Sequence, residues 1–330
     1  MQCPACDGAM RPWMTMPIDA KKDRATPFGE ILRCRQCGLA RSAYLPRTDQ
    51  IAELYDLAAY YTHGESHIRE VRSGLLDRIL VRTAWQADRA RPFEIDMVAS
   101  SLPAGASILD IGCGDGEKLE AFRALGFDVL GIDPDPRSRA FVADKGLTAL
   151  DGTAEDPPAA IEGSRFDLVI LSHALEHCRD PARALATVGR LMAPGGMAYI
   201  EVPNAGCHHF ETFRHCSEMF DAPRHLWFFT ADALRRLATR NGLAIDRWHY
   251  NGFTRLFTPS WRGWECEIFD RLKRRGAAKG AVRHSRLRSF GLLARSAFAG
   301  ADRKYDSIGI MASHADAQGS EALGSTRLAA

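Results

Sequence analysis

The stretch Ser107-Ile-Leu-Asp-Ile-Gly-Cys-Gly-Asp-Gly116 decides the fold. A short apolar run enters a glycine turn, and Leu119, Phe122 and Leu125 then recur at helical spacing, so the glycines lie between a strand and a helix. In an open α/β sheet ligands bind at the carboxyl ends of the strands, where glycine lets the backbone approach a ligand that a Cβ would push away. The next unit, Asp128-Val-Leu-Gly-Ile-Asp133, reads as a second strand ending in a carboxylate that can accept both hydroxyls of a ribose. Dinucleotide sites use similar parts, so this pattern by itself leaves a nicotinamide dehydrogenase open. Asp110 and Asp115 lean the other way, because acids beside the glycines repel phosphates and suit a ligand carrying an ammonium and a sulfonium.

Further motifs follow in order. Leu109-Asp-Ile-Gly-Cys-Gly-Asp-Gly116 resembles the first motif of class I S-adenosylmethionine-dependent methyltransferases, and Gly131-Ile-Asp133 resembles their second. Thr153-Ala-Glu155 is similar to the family's adenine-contacting stretch, the segment from Phe166 to His177 to its fourth strand and exit, and Leu191-Met-Ala-Pro-Gly-Gly196 to the turn into its fifth. The resemblance spans residues 104–204 and implies a Rossmann-like, seven-stranded α/β sheet whose last strand is antiparallel and lies beside the fifth. It implies S-adenosylmethionine as cofactor, held by Asp110, Gly112, Gly114, Gly116, Asp133, Ala154, Glu155 and Ser172.

The residues agree with that order. Asp180-Pro181 supplies a cap and a first-turn proline for a helix with Leu185, Val188 and Met192 on one face. Thr230 caps another helix that ends at Gly242, and residues 244–250 and 307–313 read as the remaining strands. Residues 68–101 read as a largely helical stretch. The domain plan is a zinc ribbon at 1–45, a helical linker or lid at 46–103, a core at 104–254, a basic helical insertion at 255–304, the last core strand at 305–315 and a disordered tail at 316–330.

At the N-terminus, Cys3-Pro-Ala-Cys6 and Cys34-Arg-Gln-Cys37 form two knuckles. Each aims two thiolates at one point, and the pair completes a tetrahedron for Zn²⁺. Four sulfur ligands leave no open position for water or substrate, so Cys3, Cys6, Cys34 and Cys37 predict a structural zinc rather than a catalytic one. Redox chemistry is disfavoured because no βαβ pattern surrounds either pair.

The chain of 330 residues, 46% hydrophobic, can bury a full core. No stretch approaches the roughly 18 apolar residues of a membrane span, and nine cysteines in a chain of this size fit a reducing cytoplasm. Formal charge is +2, yet residues 271–304 carry eleven Lys or Arg against the single acid Asp302. Such a segment serves an anionic partner or a solvated helical face. Its arginines suit the diphosphate of a nucleotide sugar or a lipid-linked glycan, and its apolar residues leave active-site cover, homodimer formation and membrane-surface contact open.

Methyl transfer is an in-line displacement, and a hydroxyl acceptor needs a base for the proton it loses. His173 and His177 stand at the exit of the fourth strand, with Glu176 between them; His177 reads as the more structural of the two. The stretch Asp221-Ala-Pro-Arg-His-Leu-Trp-Phe-Phe-Thr230 resembles a signature of bacterial sugar and natural-product methyltransferases, and the zinc module is similar to that of deoxysugar C-methyltransferases. The Tyr-His-Glu-His arrangement of those sugar enzymes is absent, so C-methylation is not carried over. His225 is the favoured base, with Asp221 orienting it, against the alternative that His225 and Arg224 merely anchor the loop. Cys207 and Cys216 with nearby histidines are too irregularly spaced for a second metal.

The expectation is therefore a methyltransferase acting on a small molecule, at a hydroxyl of a sugar, glycan or natural-product intermediate. A nucleic-acid methyltransferase is the first rival, although no aromatic RNA-binding motif is present, and a non-catalytic cofactor-binding regulator is the second.

Overall fold

The computed structural model describes residues 1–55 and 67–315. The tail expected to be disordered lies outside them.

Five short strands build the N-terminal module: β1 (Met10–Thr15), β2 (Ile18–Asp19), β3 (Arg24–Ala25), β4 (Glu30–Cys34) and β5 (Ala40–Ser42). The central sheet contains β6 (Ser107–Ile111), β7 (Asp128–Ile132), β8 (Ala149–Leu150), β9 (Phe166–Ser172) and β10 (Met192–Pro203). Three later strands are β11 (Trp227–Phe228), β12 (Leu243–Asn251) and β13 (Ser307–His314). The seven-stranded order is β12-β13-β10-β9-β6-β7-β8. β13 runs antiparallel between β10 and β12, with Pro203 opposite Ser307 and Ser307 opposite Asn251. This is the α/β class and last-strand placement expected from the sequence. β6, β9 and the second half of β10, residues 198–203, are almost wholly buried, as near-continuous apolar runs in a sheet covered on both faces should be.

The N-terminal module is not a separate bead. β11, from much later in the chain, pairs with β5 and completes the sheet β1-β4-β5-β11. Residues 68–101 are less helical than expected: the helices are Leu75–Ala87 and Ile95–Ala99. Asp88 ends the first, its carboxylate taken by Thr254 Oγ1 at 2.6 Å, and Pro92 falls between the two.

The insertion before β13 folds into helices Pro259–Arg274, Arg286–Ser296 and Ala301–Lys304. Thr258 caps the first, accepting from Trp261 N at 3.3 Å, and Pro259 occupies its first turn. Trp261, Ile268, Leu272, Leu292 and Leu293 pack with Phe210, Phe213 and Phe220 in a second core beside the sheet. At its centre lies Glu265, fully buried. It accepts from Trp261 Nε1 at 3.0 Å, Glu218 N at 3.1 Å and His209 Nε2 at 3.0 Å, and it pairs with His284 Nδ1. Burial pushes the Glu265 carboxyl up, but His209 and His284 outweigh it and hold the pKa down at about 2.

A carboxyl held below its ordinary 4.5 contributes stability that is complete above that value and lost as pH falls toward about 2. Glu265→Gln is expected to flatten this acid limb and to cost about 3–5 kcal/mol near neutral pH, the usual result of breaking a buried pair. Thermal unfolding of both proteins across that pH range checks it.

Candidate active site

The glycine loop follows β6. Gly112, Gly114 and Gly116 all have left-handed backbone, at φ 77°, 55° and 77°. A Cβ on Gly112 would lie 2.8 Å from Ala174 Cβ, and one on Gly116 would lie 2.9 Å from Val142 Cγ2. Glycine is therefore demanded by conformation and by space, and the loop closes tightly under the segment that leaves β9.

Two carboxylates flank it. Asp133 is 5% exposed at the end of β7; its Oδ2 accepts from Gly114 N and its Oδ1 from Asp135 N, each at 2.9 Å. Each oxygen keeps a further lone pair for a ligand hydroxyl. Asp110, 2% exposed on β6, has its pKa raised to about 6 by burial, with Asp133 and Asp115 adding to the shift. A pair of buried acids beside a glycine cradle favours a cationic ligand over a phosphate, so the residues present fit S-adenosylmethionine. Ala154 is buried nearby. The Glu155 carboxylate accepts from Arg179 N at 3.0 Å and Asp180 N at 2.7 Å, fastening the turn before helix Pro181–Leu191. Ser172 donates to Glu201 Oε2 at 3.2 Å.

Glu201 was not among the candidates. It is the one acid of β10, also accepts from the Tyr199 hydroxyl at 3.0 Å, and lies at the carboxyl end of that strand. An acid inside the apolar run Met197-Ala-Tyr-Ile-Glu-Val202 was the available signal.

Directly after β9, His173 has φ 53°, a left-handed conformation that costs a non-glycine residue about 1–3 kcal/mol. Its side chain is 41% exposed, with Nδ1 3.4 Å from Glu176 Oε1 and Nε2 3.8 Å from Glu201 Oε1. Partial burial opposes the charged ring, but Glu176 and Glu201 together raise the His173 pKa above its ordinary value.

His177 and His225 lie deeper, their rings 4.8 Å apart edge to face. His177 Nδ1 is 3.0 Å from the Arg224 carbonyl, and His225 Nδ1 is 3.0 Å from the Met219 carbonyl. A carbonyl can only accept, so the proton sits on Nδ1 in both rings and each Nε2 keeps a lone pair when the ring is neutral. Tyr55 hydroxyl adds a 2.7 Å contact to His177 Nδ1. Burial and His225 push the His177 pKa down to about 4. Glu176, fully buried, faces all three imidazoles, with His225 Nε2 at 3.9 Å. Burial raises its carboxyl, yet His173, His177 and His225 bring it below the ordinary range.

Asp221 does not orient His225 through its side chain. Its carboxylate is occupied by Arg224 Nη2 at 2.7 Å and Lys21 Nζ at 2.8 Å, because two full positive charges compete better than an imidazole. Arg224, fully buried, also forks onto Asp19 at 2.7 and 2.9 Å and donates to Leu54 O at 3.2 Å. Asp19 and Lys21 belong to the N-terminal module, whose hairpin thereby forms part of the wall behind the histidines.

The four ribbon cysteines are free thiols with all Sγ atoms within 4.8 Å of one another. Cys3–Cys37 and Cys6–Cys34 are each 3.5 Å apart, close to the edge of about 3.8 Å in a tetrahedron with Zn–S bonds of about 2.3 Å. The donor set fits zinc. Thr230 Oγ1 donates to Cys37 O at 2.7 Å, tying the knuckle to the end of the histidine-bearing loop. Cys207 caps helix His208–Phe213 through its sulfur, which accepts from Phe210 N at 3.3 Å.

Residues 81–247 match the family model described as a methyltransferase domain. The chain is a class I S-adenosylmethionine-dependent methyltransferase. A ubiquinone biosynthesis O-methyltransferase of Cereibacter sphaeroides is 36% identical over 214 residues, 60% of this chain and 83% of the relative. One from Roseobacter denitrificans is 30% identical over 198 residues, 56% of this chain and 75% of the relative. A solved methyltransferase from Geobacter sulfurreducens in complex with S-adenosyl-L-homocysteine is 18% identical, with 72% of this methyltransferase and 98% of that chain covered at a TM-score of 0.41. Among the described residues no helix is long and apolar enough to cross a membrane.

Arg224→Met should lower stability by about 3–5 kcal/mol, because Asp19 and Asp221 would remain buried without their shared cation. Denaturant unfolding with the slope compared to wild type measures it.

Proposed function

We propose that this methyltransferase methylates a hydroxyl oxygen of a small molecule and that His173 receives the proton the hydroxyl loses. The observation that carries the reading is the geometry of His173. Among the described residues it is the most exposed imidazole at the carboxyl end of the sheet, held in a strained backbone conformation one residue before Ala174, which packs on the glycine loop, and it lies between Glu176 and Glu201. His225, with 10% of its side chain exposed, fits the role of shaping the pocket better than that of meeting an acceptor. The relatives' names add support for oxygen as the acceptor atom, and give no special weight to a sugar or glycan.

Asp133 and the glycine loop would hold the ribose and the backbone-hugging part of S-adenosylmethionine, with Asp110 and Ala154 completing the cradle. When bound, the cofactor supplies an electrophilic methyl group on a positively charged sulfur. His173 then has two tasks: it accepts the hydroxyl proton, and its neighbours Glu176 and Glu201 stabilise the imidazolium that results. Cys3, Cys6, Cys34 and Cys37 would hold a structural Zn²⁺ that keeps β4 and β5 in place beside β11.

Asp133→Ala is expected to weaken S-adenosylmethionine binding roughly 100-fold, from the loss of hydrogen bonds to a charged group at about 1.5–3 kcal/mol each. Calorimetric titration reads this, and unchanged affinity would remove the assigned cofactor site. His173→Ala should leave that affinity intact and lower kcat about 100-fold or more. In the wild type kcat/KM should rise with pH through the elevated pKa of His173, since the base acts when neutral. A flat profile with an active His173→Ala would contradict the assignment. Elemental analysis is expected to find one zinc per chain, lost with lowered melting temperature in Cys34→Ser.

A further inference from the structure

The helix Leu75–Ala87 buries Asp77, Leu80 and Ala84 against the second core. A surface helix normally shows polar residues on its other side. This one does not. Leu75 is 68% exposed, Leu76 51%, Ile79 47% and Trp85 69%, with Val71 just ahead at 48%. At helical spacing Leu75, Ile79, Thr83 and Leu76 sweep one continuous outer strip, and Arg78 and Arg82 flank it on the side of Trp85. Arg286 of the insertion reaches Asp77 on the buried side of the helix at 3.0 and 3.1 Å.

The charge on this face is one-sided. Arg72, Arg78, Arg82 and Trp85 line an open cleft of about 760 Å³, opposite Thr258, Pro259 and Ser260. Among the described residues none of these three arginines has an acidic partner within ion-pair distance. The acids close by are mostly occupied: Asp77 by Arg262 and Arg286, Asp88 by Thr254. Glu70, on the cleft rim, is the exception.

We propose that this face docks the protein on an anionic phospholipid bilayer. The leucines and Ile79 enter the boundary between headgroups and acyl chains, Trp85 sits at headgroup level, and the arginines engage lipid phosphates in bidentate fashion. Charge complementarity selects the bilayer over a second copy of this chain. In a two-fold dimer the same patch would face itself, bringing unpaired arginine rows together. None of the residues that line the patch belongs to the glycine loop or to the histidine cluster.

The test is co-sedimentation of the full chain with phosphatidylcholine vesicles, with and without phosphatidylglycerol. Binding is expected only when phosphatidylglycerol is present, and it should fall as salt rises. Arg78→Glu/Arg82→Glu should weaken it roughly 25-fold or more, at about fivefold per basic residue removed. Leu75→Asp/Ile79→Asp should also lose it, with both variants keeping wild-type melting temperature and S-adenosylmethionine affinity. The proposal is overturned if the wild type stays in the supernatant with anionic vesicles, or if neither double variant changes binding. A dimer in sedimentation velocity that Leu75→Asp/Ile79→Asp dissociates would give the face to a second copy and overturn it equally.

Discussion

The loop that carries His225 is anchored by one fully buried guanidinium. Arg224 joins Asp19 of the N-terminal hairpin to Asp221 of the loop after β10, and Lys21 closes the group from the other side of Asp221. Burying this many charges is costly in water-free surroundings, and it is tolerated because every carboxylate has a cationic partner at hydrogen-bond distance. The consequence is geometric: the Arg224 carbonyl is the acceptor for His177 Nδ1. An ion pair between distant segments thus sets the orientation of an imidazole in the site.

The same logic explains why a metal-type cysteine cluster accompanies a fold that closes its central sheet without it. The four sulfurs hold β4 and β5, and β5 pairs with β11, two residues beyond His225. The module works as a buttress. It supplies the second sheet, the Asp19 and Lys21 charges, and the backbone carbonyl that receives Thr230, while the Rossmann-like sheet supplies the cofactor end.

Much of this was legible in the sequence, for physical reasons that differ by element. The glycine loop, β6 and the Asp180 cap announce themselves because left-handed backbone, burial on both faces and orphaned helix N–H groups each demand particular residue types over a few positions. The cysteine knuckles were equally plain. Pairings across the chain were not: Arg224 and Asp19 are 205 positions apart, and nothing local in either segment advertises the other. Asp221 looked like a partner for His225 because they are close in sequence, but Arg224 lies nearer and carries a permanent charge. Glu155 also accepts two backbone N–H groups, 24 and 25 positions further on, a tie that local pattern does not reveal. Glu201 could have been found as an acid within an apolar strand.

The central claim is that the N-terminal module and the histidine-bearing loop form one cooperative unit through Asp19 and Arg224. Amide hydrogen exchange of wild type and Asp19→Asn addresses it most directly. Residues 214–230 are expected to lose protection in the variant while β6, β9 and β10 keep theirs. Unchanged protection across 214–230 would show that the loop is held without the module, and would contradict it.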